Sequence, residues 1–159
     1  MTVAPYGSAC HMNQSSEPAI RCVEESPRLL RAHFDADPVA AAQMRTELRN
    51  WLAHHFAPDD ERVNDVVLAV YEATANAVEF AYLGRPETGS VEVSATRESD
   101  RLSVTVSDEG KWHWPTVDPA PASRLRGRGI PLMKSLADHA KLHTWHTGTR
   151  VHLVWMGLS

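Results

Sequence analysis

Between Asp59 and Ala81 the residues Val63, Val66, Val67, Val70, Ala73, Ala77 and Val78 recur at the spacing of one helix face. A helix of that length carries an apolar stripe that must be buried against a second layer. Two alternating segments offer one: Val91 to Thr96 and Leu102 to Val106, joined through Glu98-Ser-Asp100, read as a hairpin with one wet face. Upstream, Leu29 to Phe34 suits a short strand. Asp37-Pro38 then opens a helix as N-cap and N1, and that helix runs to about His55. Its apolar positions are Val39, Ala42, Leu48, Trp51, Leu52 and Phe56, with Arg45 and Arg49 on another face, and Pro58 breaks the chain. The turn Leu83-Gly84-Arg85-Pro86 ends the long helix. Later come a helix from Ile130 to Ala137 and two strands, Lys141 to His146 and Thr149 to Met156, joined at Thr147-Gly148. The expected fold is an α/β two-layer sandwich, a mostly antiparallel mixed sheet with helices on one face.

A chain of 159 residues fits one domain. Residues 1–27, rich in Ser, Pro and small polar residues without periodicity, read as a flexible N-terminal tail, and residues 28–159 as the domain. A hydrophobic content of 43% and a net charge of −4 lack the basic excess that direct nucleic-acid binding would require. Apolar runs are only a few residues long, and the first residues show no basic region followed by a hydrophobic stretch. The expectation is therefore a cytoplasmic protein without a membrane segment. Cys10 and Cys22 both precede the expected domain, so no disulfide framework is expected, and Cys10-His11 lacks a second ligand pair for a metal. His139, His143, His146 and His152 lack the helical spacing of a zinc site and read as surface or edge-strand residues.

Three polar clusters stand out against this frame. Glu72 and Asn76, four residues apart, stack on one helix face, a pairing suited to a base and a metal ligand. Asp65, Glu72, Asn76 and Glu79 also fit the solvated stripe of an amphipathic helix, although Asn is a poor residue for a helix interior. Asp108-Glu-Gly110 closes an alternating strand, with a glycine where the backbone can approach a flat ligand closely; the same triplet is a common turn sequence. Gly127-Arg-Gly129 precedes a helix whose free N–H groups favour phosphate, with Arg124, Arg126 and Arg128 placing positive charge beside them.

The order of an E-x-x-x-N helix, a D-x-G turn, a G-x-G before a helix and a late Gly148-Thr149 resembles the GHKL (Bergerat-fold) ATPase and kinase superfamily. Within it, Leu68-Ala-Val-Tyr-Glu-Ala-Thr-Ala-Asn-Ala77 and Gly127-Arg-Gly-Ile-Pro-Leu-Met133 resemble the anti-sigma factor serine/threonine kinases. That resemblance implies ATP and Mg²⁺ as cofactors, Glu72 as catalytic base and Asn76 as the metal ligand. It implies further ATP contacts from Asp108, Gly110, Arg126, Gly127, Arg128, Gly129 and Thr149, with Asp108 and Thr149 at the adenine. The implied partners are an alternative sigma factor and an antagonist protein phosphorylated on Ser or Thr. A homodimer is a further expectation, and Arg45 on the first helix is expected to face partners. The alternative is an ATP-binding module that sequesters its partner without kinase activity. Three departures from the pattern, Trp112 in place of a second glycine, Phe80 in place of a histidine and Pro131 after Gly129-Ile130, leave the base and metal ligand intact and bear on lid motion, nucleotide affinity and turnover rather than on the fold.

Overall fold

The computed structural model describes residues 20–56, 61–81, 89–110 and 129–158. Its elements run β1 (Ile20–Ser26), β2 (Leu29–Asp35), α1 (Pro38–His55), α2 (Glu61–Phe80), β3 (Ser90–Glu98), β4 (Arg101–Asp108), α3 (Gly129–Leu136), β5 (His139–Trp145) and β6 (Gly148–Trp155). The six strands form one sheet in the order β1-β2-β3-β4-β6-β5. Every neighbouring pair is antiparallel, so the mixed sheet expected from the sequence is wholly antiparallel among the described residues.

Strand alternation separates the two faces. Leu30, Ala32 and Phe34 on β2, Val91, Val93 and Ala95 on β3, Leu102, Val104 and Val106 on β4, and Val151, Leu153 and Trp155 on β6 are all buried and point to the same side. Against them pack α1 through Ala41, Met44, Leu48, Trp51 and Leu52, and α2 through Val63, Val66, Val70, Ala73 and Ala77. The α1 stripe is therefore shifted from the one read in the sequence, because Val39 is 57% exposed and Ala42 is also on the surface. Asp37 caps α1 as expected, its carboxylate accepting from the Val39 N–H at 2.8 Å. Two tryptophans fasten helices to their neighbours: Trp51 Nε1 donates to the Ser26 carbonyl, and Trp155 Nε1 to that of Leu136, each at 2.8 Å. Arg62, in the first turn of α2, donates to the Met156 carbonyl and to Asp138.

The stretch read as a tail ends earlier than expected, because Ile20–Ser26 is strand β1 paired with β2. Its sequence hides the strand for two physical reasons. As an edge strand it is half-buried along most of its length, and a register irregularity between Ile20 and Cys22 breaks the period of two. Cys22 is thus inside the fold, and contrary to expectation it is disulfide-bonded.

Candidate functional site

On β4, Asp108 closes the row of inward-facing residues and is 7% exposed. Strand register sets it opposite Val91 on β3 and Thr149 on β6, so the carboxylate and the threonine hydroxyl share the helix-covered face. The Asp108 side chain accepts from the Gly110 N–H at 3.0 Å, an Asx turn that holds its orientation.

Two glycines draw the surrounding chain in. A Cβ on Gly110 would lie 2.0 Å from the Ala81 carbonyl oxygen and 2.6 Å from its carbon. A Cβ on Gly148 would lie 2.2 Å from the Asp108 carbonyl oxygen. The approach that needs Gly110 is thus to the C-terminal end of α2, where sequence reasoning had a ligand in view. This contact brings the last turn of α2 against the Asp108 end of β4. Asn76 lies five residues before Ala81, about 7.5 Å along the helix axis.

Asn76 is 5% exposed, which removes it from the solvated stripe that Glu79 still occupies. Helical phase puts it on one flank with Glu72, which is half-buried, while Tyr71, Thr74, Ala75 and Val78 line grooves toward α1. Buried polar atoms are normally paired, and Thr74 illustrates the rule by donating to the Val70 carbonyl at 2.8 Å. Among the described residues, Asn76 Nδ2 and Thr149 Oγ1 break it, each buried without a hydrogen-bond partner. Two of the positions singled out by sequence are therefore the two that carry unsatisfied buried groups. The Thr149 hydroxyl, open beside a buried carboxylate, and the Asn76 amide nitrogen, open on α2, each suit a polar ligand.

The donor set fits Mg²⁺ and a nucleotide. Asn76 offers a neutral oxygen suited to a hard cation that keeps much of its water, and Asp108 offers an acceptor for an exocyclic amino group. No group of three or more His, Cys, Asp or Glu side chains forms a metal cluster among the described residues. Gly129 opens α3, and Pro131 sits within the first turn of that helix, where its missing N–H costs nothing. Arg124, Arg126, Gly127 and Arg128 lie outside the described residues, as do Trp112 and the turn at Leu83 to Pro86. Arg45 is exposed on α1, its guanidinium 5.0 Å from the centre of the Tyr71 ring.

Asp108 and Thr149 line a concavity of about 290 Å³ together with His33, Glu92, Trp145 and Arg150, four residues that sequence reasoning missed. Its residues come from five strands, β2 to β6, and only pairing register brings them together.

With this geometry in place, residues 34–155 match the model of the histidine kinase-like ATPase domain. The chain belongs to that family. A serine-protein kinase RsbW of Listeria monocytogenes is 31% identical over 94 residues, covering 52% of this chain and 59% of the relative. An anti-sigma F factor of Clostridium acetobutylicum is 30% identical over 99 residues, covering 58% of this chain and 68% of the relative. Among solved structures, the RsbU and RsbW domains of a Mycobacterium tuberculosis protein superpose with a TM-score of 0.64 at 25% identity, covering 87% of this chain and 34% of that one. The chain thus spans 59% of the length of the Listeria kinase. No described helix is long and apolar enough to cross a membrane.

Proposed function

We propose that this family member is an ATP- and Mg²⁺-dependent serine/threonine protein kinase that acts as an anti-sigma factor. It holds an alternative sigma factor and phosphorylates an antagonist protein. The observation that carries the reading is the pair of buried, unsatisfied groups at Asn76 on α2 and at Thr149 opposite Asp108, within a domain of the ATPase family. The kinship with an RsbW serine-protein kinase and an anti-sigma F factor supports the choice of acceptor and partner.

In this reading Asn76 is the metal ligand. Asp108 accepts a hydrogen bond from the adenine amino group, and Thr149 satisfies its hydroxyl at the same corner. Guanine, with a carbonyl at that position, would set an acceptor against the Asp108 carboxylate and be rejected. Gly110 has an indirect part, docking the β4 end on Ala81 so that Asp108 and Asn76 hold a fixed separation. Bound Mg²⁺·ATP supplies the phosphoryl group and neutralises charge developing on it. Glu72, one helical turn before Asn76, accepts the proton that the attacking Ser or Thr hydroxyl gives up. Gly127 and Gly129 act as lid hinges, with Arg126 and Arg128 meeting phosphate. Arg45, exposed on α1, contacts protein partners, and the chain works in the cytoplasm.

A transfer assay tests the proposal: radiolabelled ATP, Mg²⁺ and candidate antagonist proteins are incubated with wild type and Glu72→Gln. Label appearing on a Ser or Thr with wild type alone supports the kinase. Tight sigma-factor capture and ATP binding with no transfer to any antagonist would favour sequestration without catalysis.

A further inference from the structure

Strand β5 is an edge that the fold leaves unusually open. It pairs with β6, and among the described residues nothing else pairs with it. Six of its seven residues are exposed. Edge strands are commonly blunted by charge, and Lys141 is such a residue, yet Leu142 at 38% exposed and Trp145 at 49% work against that protection.

The two faces of this edge differ in chemistry. On the face turned away from the helices, β5 shows His139, Lys141, His143 and Trp145, and behind them β6 shows Arg150 and His152. The outward positions of β4 are Arg101, Ser103, Thr105 and Ser107, so no described carboxylate points outward from these three strands. The cations lie close together: Arg101, Lys141, Arg150 and His143 each act electrostatically on His152, and Thr105 Oγ1 lies 3.2 Å from His152 Nδ1. On the helix side, Ala140 and Leu142 border a small apolar cleft with Ile130, Met133 and Val151.

We infer that β5 is a docking edge for an extended, acidic protein segment that adds as a seventh strand, its acidic residues alternating with apolar ones. Backbone pairing supplies the ladder, and alternation sends carboxylates to the His139, Lys141 and His143 face and apolar side chains to Leu142 and the Met133 cleft. Lys141 thereby selects partners, since a neutral or basic strand would set uncompensated charge against it. The inference rests on β5 and the residues beside it and is independent of nucleotide binding or phosphate transfer.

A short labelled peptide of alternating Glu and Val, with blocked ends, provides the test. Anisotropy measures its binding to the full chain, beside a Lys/Val alternating peptide and a peptide of the same Glu and Val content in two blocks. Amide exchange maps the contact. The Glu/Val alternating peptide should bind, at least about tenfold more tightly than either control, more weakly as salt rises, and with protection centred on residues 139–145. Lys141→Glu should weaken it by about tenfold or more and Lys141→Gln by less, with both variants keeping the wild-type thermal midpoint. Absence of binding, equal binding of the controls, or unchanged affinity in Lys141→Glu would overturn the inference. So would tighter binding of a single-stranded oligonucleotide at β5. Protection of β5 by self-association alone would assign the edge to a second copy of the chain instead.

Discussion

Replacing Asn76 by alanine should make the nucleotide-free protein more stable while removing its Mg²⁺-dependent ATP binding. Three effects set the sign. Relieving a buried polar group without a partner is worth about 1–3 kcal/mol. Alanine is favoured over asparagine inside a helix by about 0.5 kcal/mol. Against these stands the void left by the carboxamide. If it is about one water in size, ~30 Å³, it costs ~0.7 kcal/mol at ~24 cal/mol per Å³. The net gain is about 1–3 kcal/mol, or a midpoint shift of roughly 2–4 °C per kcal/mol for a chain of this size. Ligand reverses the ranking: Mg²⁺·ATP at about a thousand times its dissociation constant adds ~4.1 kcal/mol to a protein that binds it and nothing to one that does not. Urea unfolding of both proteins, with and without Mg²⁺·ATP, reads both halves. A nucleotide-free Asn76→Ala less stable than wild type by more than about 1 kcal/mol would show that the side chain is a structural group whose partner is protein.

Gly110→Ala should destabilise by about 1–3 kcal/mol and also lower ATP affinity, because the new methyl meets the Ala81 backbone and parts β4 from α2; wild-type urea midpoints would refute the contact. Glu72→Gln should cut phosphate transfer by about two orders of magnitude or more with ATP affinity little changed, as quench-flow and calorimetry would show. Arg45→Glu should weaken capture of at least one protein partner in interferometry while sparing ATP binding, since Arg45 is exposed on α1 and is not one of the nucleotide-binding candidates. Stability should fall on acidification. Burial, then Arg101, Lys141, Arg150 and His143, hold His152 below its ordinary 6.5, so the unfolded chain takes up that proton first as pH drops through 6.5 and the contribution is lost down to the depressed folded value. The Met156 N–H and Arg62 likewise lower Asp138, whose contribution is full above 3.8 and disappears as pH falls through its lower folded value. Urea midpoints between pH 7.5 and 5.5 should decline, and His152→Gln should flatten that decline.

The long helix α2 and the central strands were legible because each carries a clean period, whereas α1 was legible by its ends and its buried stripe was misread at Val39 and Ala42. Asp37-Pro38 marked the start of α1, and the alternation on β3 and β4 marked both strands and their buried face. Strand β1 was not legible, since a half-buried edge with a register irregularity has no period to read. Of the site, the sequence named Glu72, Asn76, Asp108 and Thr149. It did not show that Asn76 is buried, because helical phase places a residue on a flank but does not reveal what covers it. The tight approaches at Gly110 and Gly148 were equally hidden, because each depends on a neighbour distant in the chain: Ala81 in one case, Asp108 in the other. The cationic outer face of β4, β6 and β5 emerges only once register aligns Arg101, Lys141, Arg150 and the histidines.

The most direct test of the nucleotide site is a calorimetric titration of the full chain with ATP, with and without Mg²⁺, repeated on Asn76→Ala and with GTP. The account predicts saturable binding near one ATP per chain that depends on Mg²⁺, is lost in the variant and is much weaker for GTP. Binding unaffected by Mg²⁺ and by Asn76→Ala, or no ATP binding at all, would contradict it.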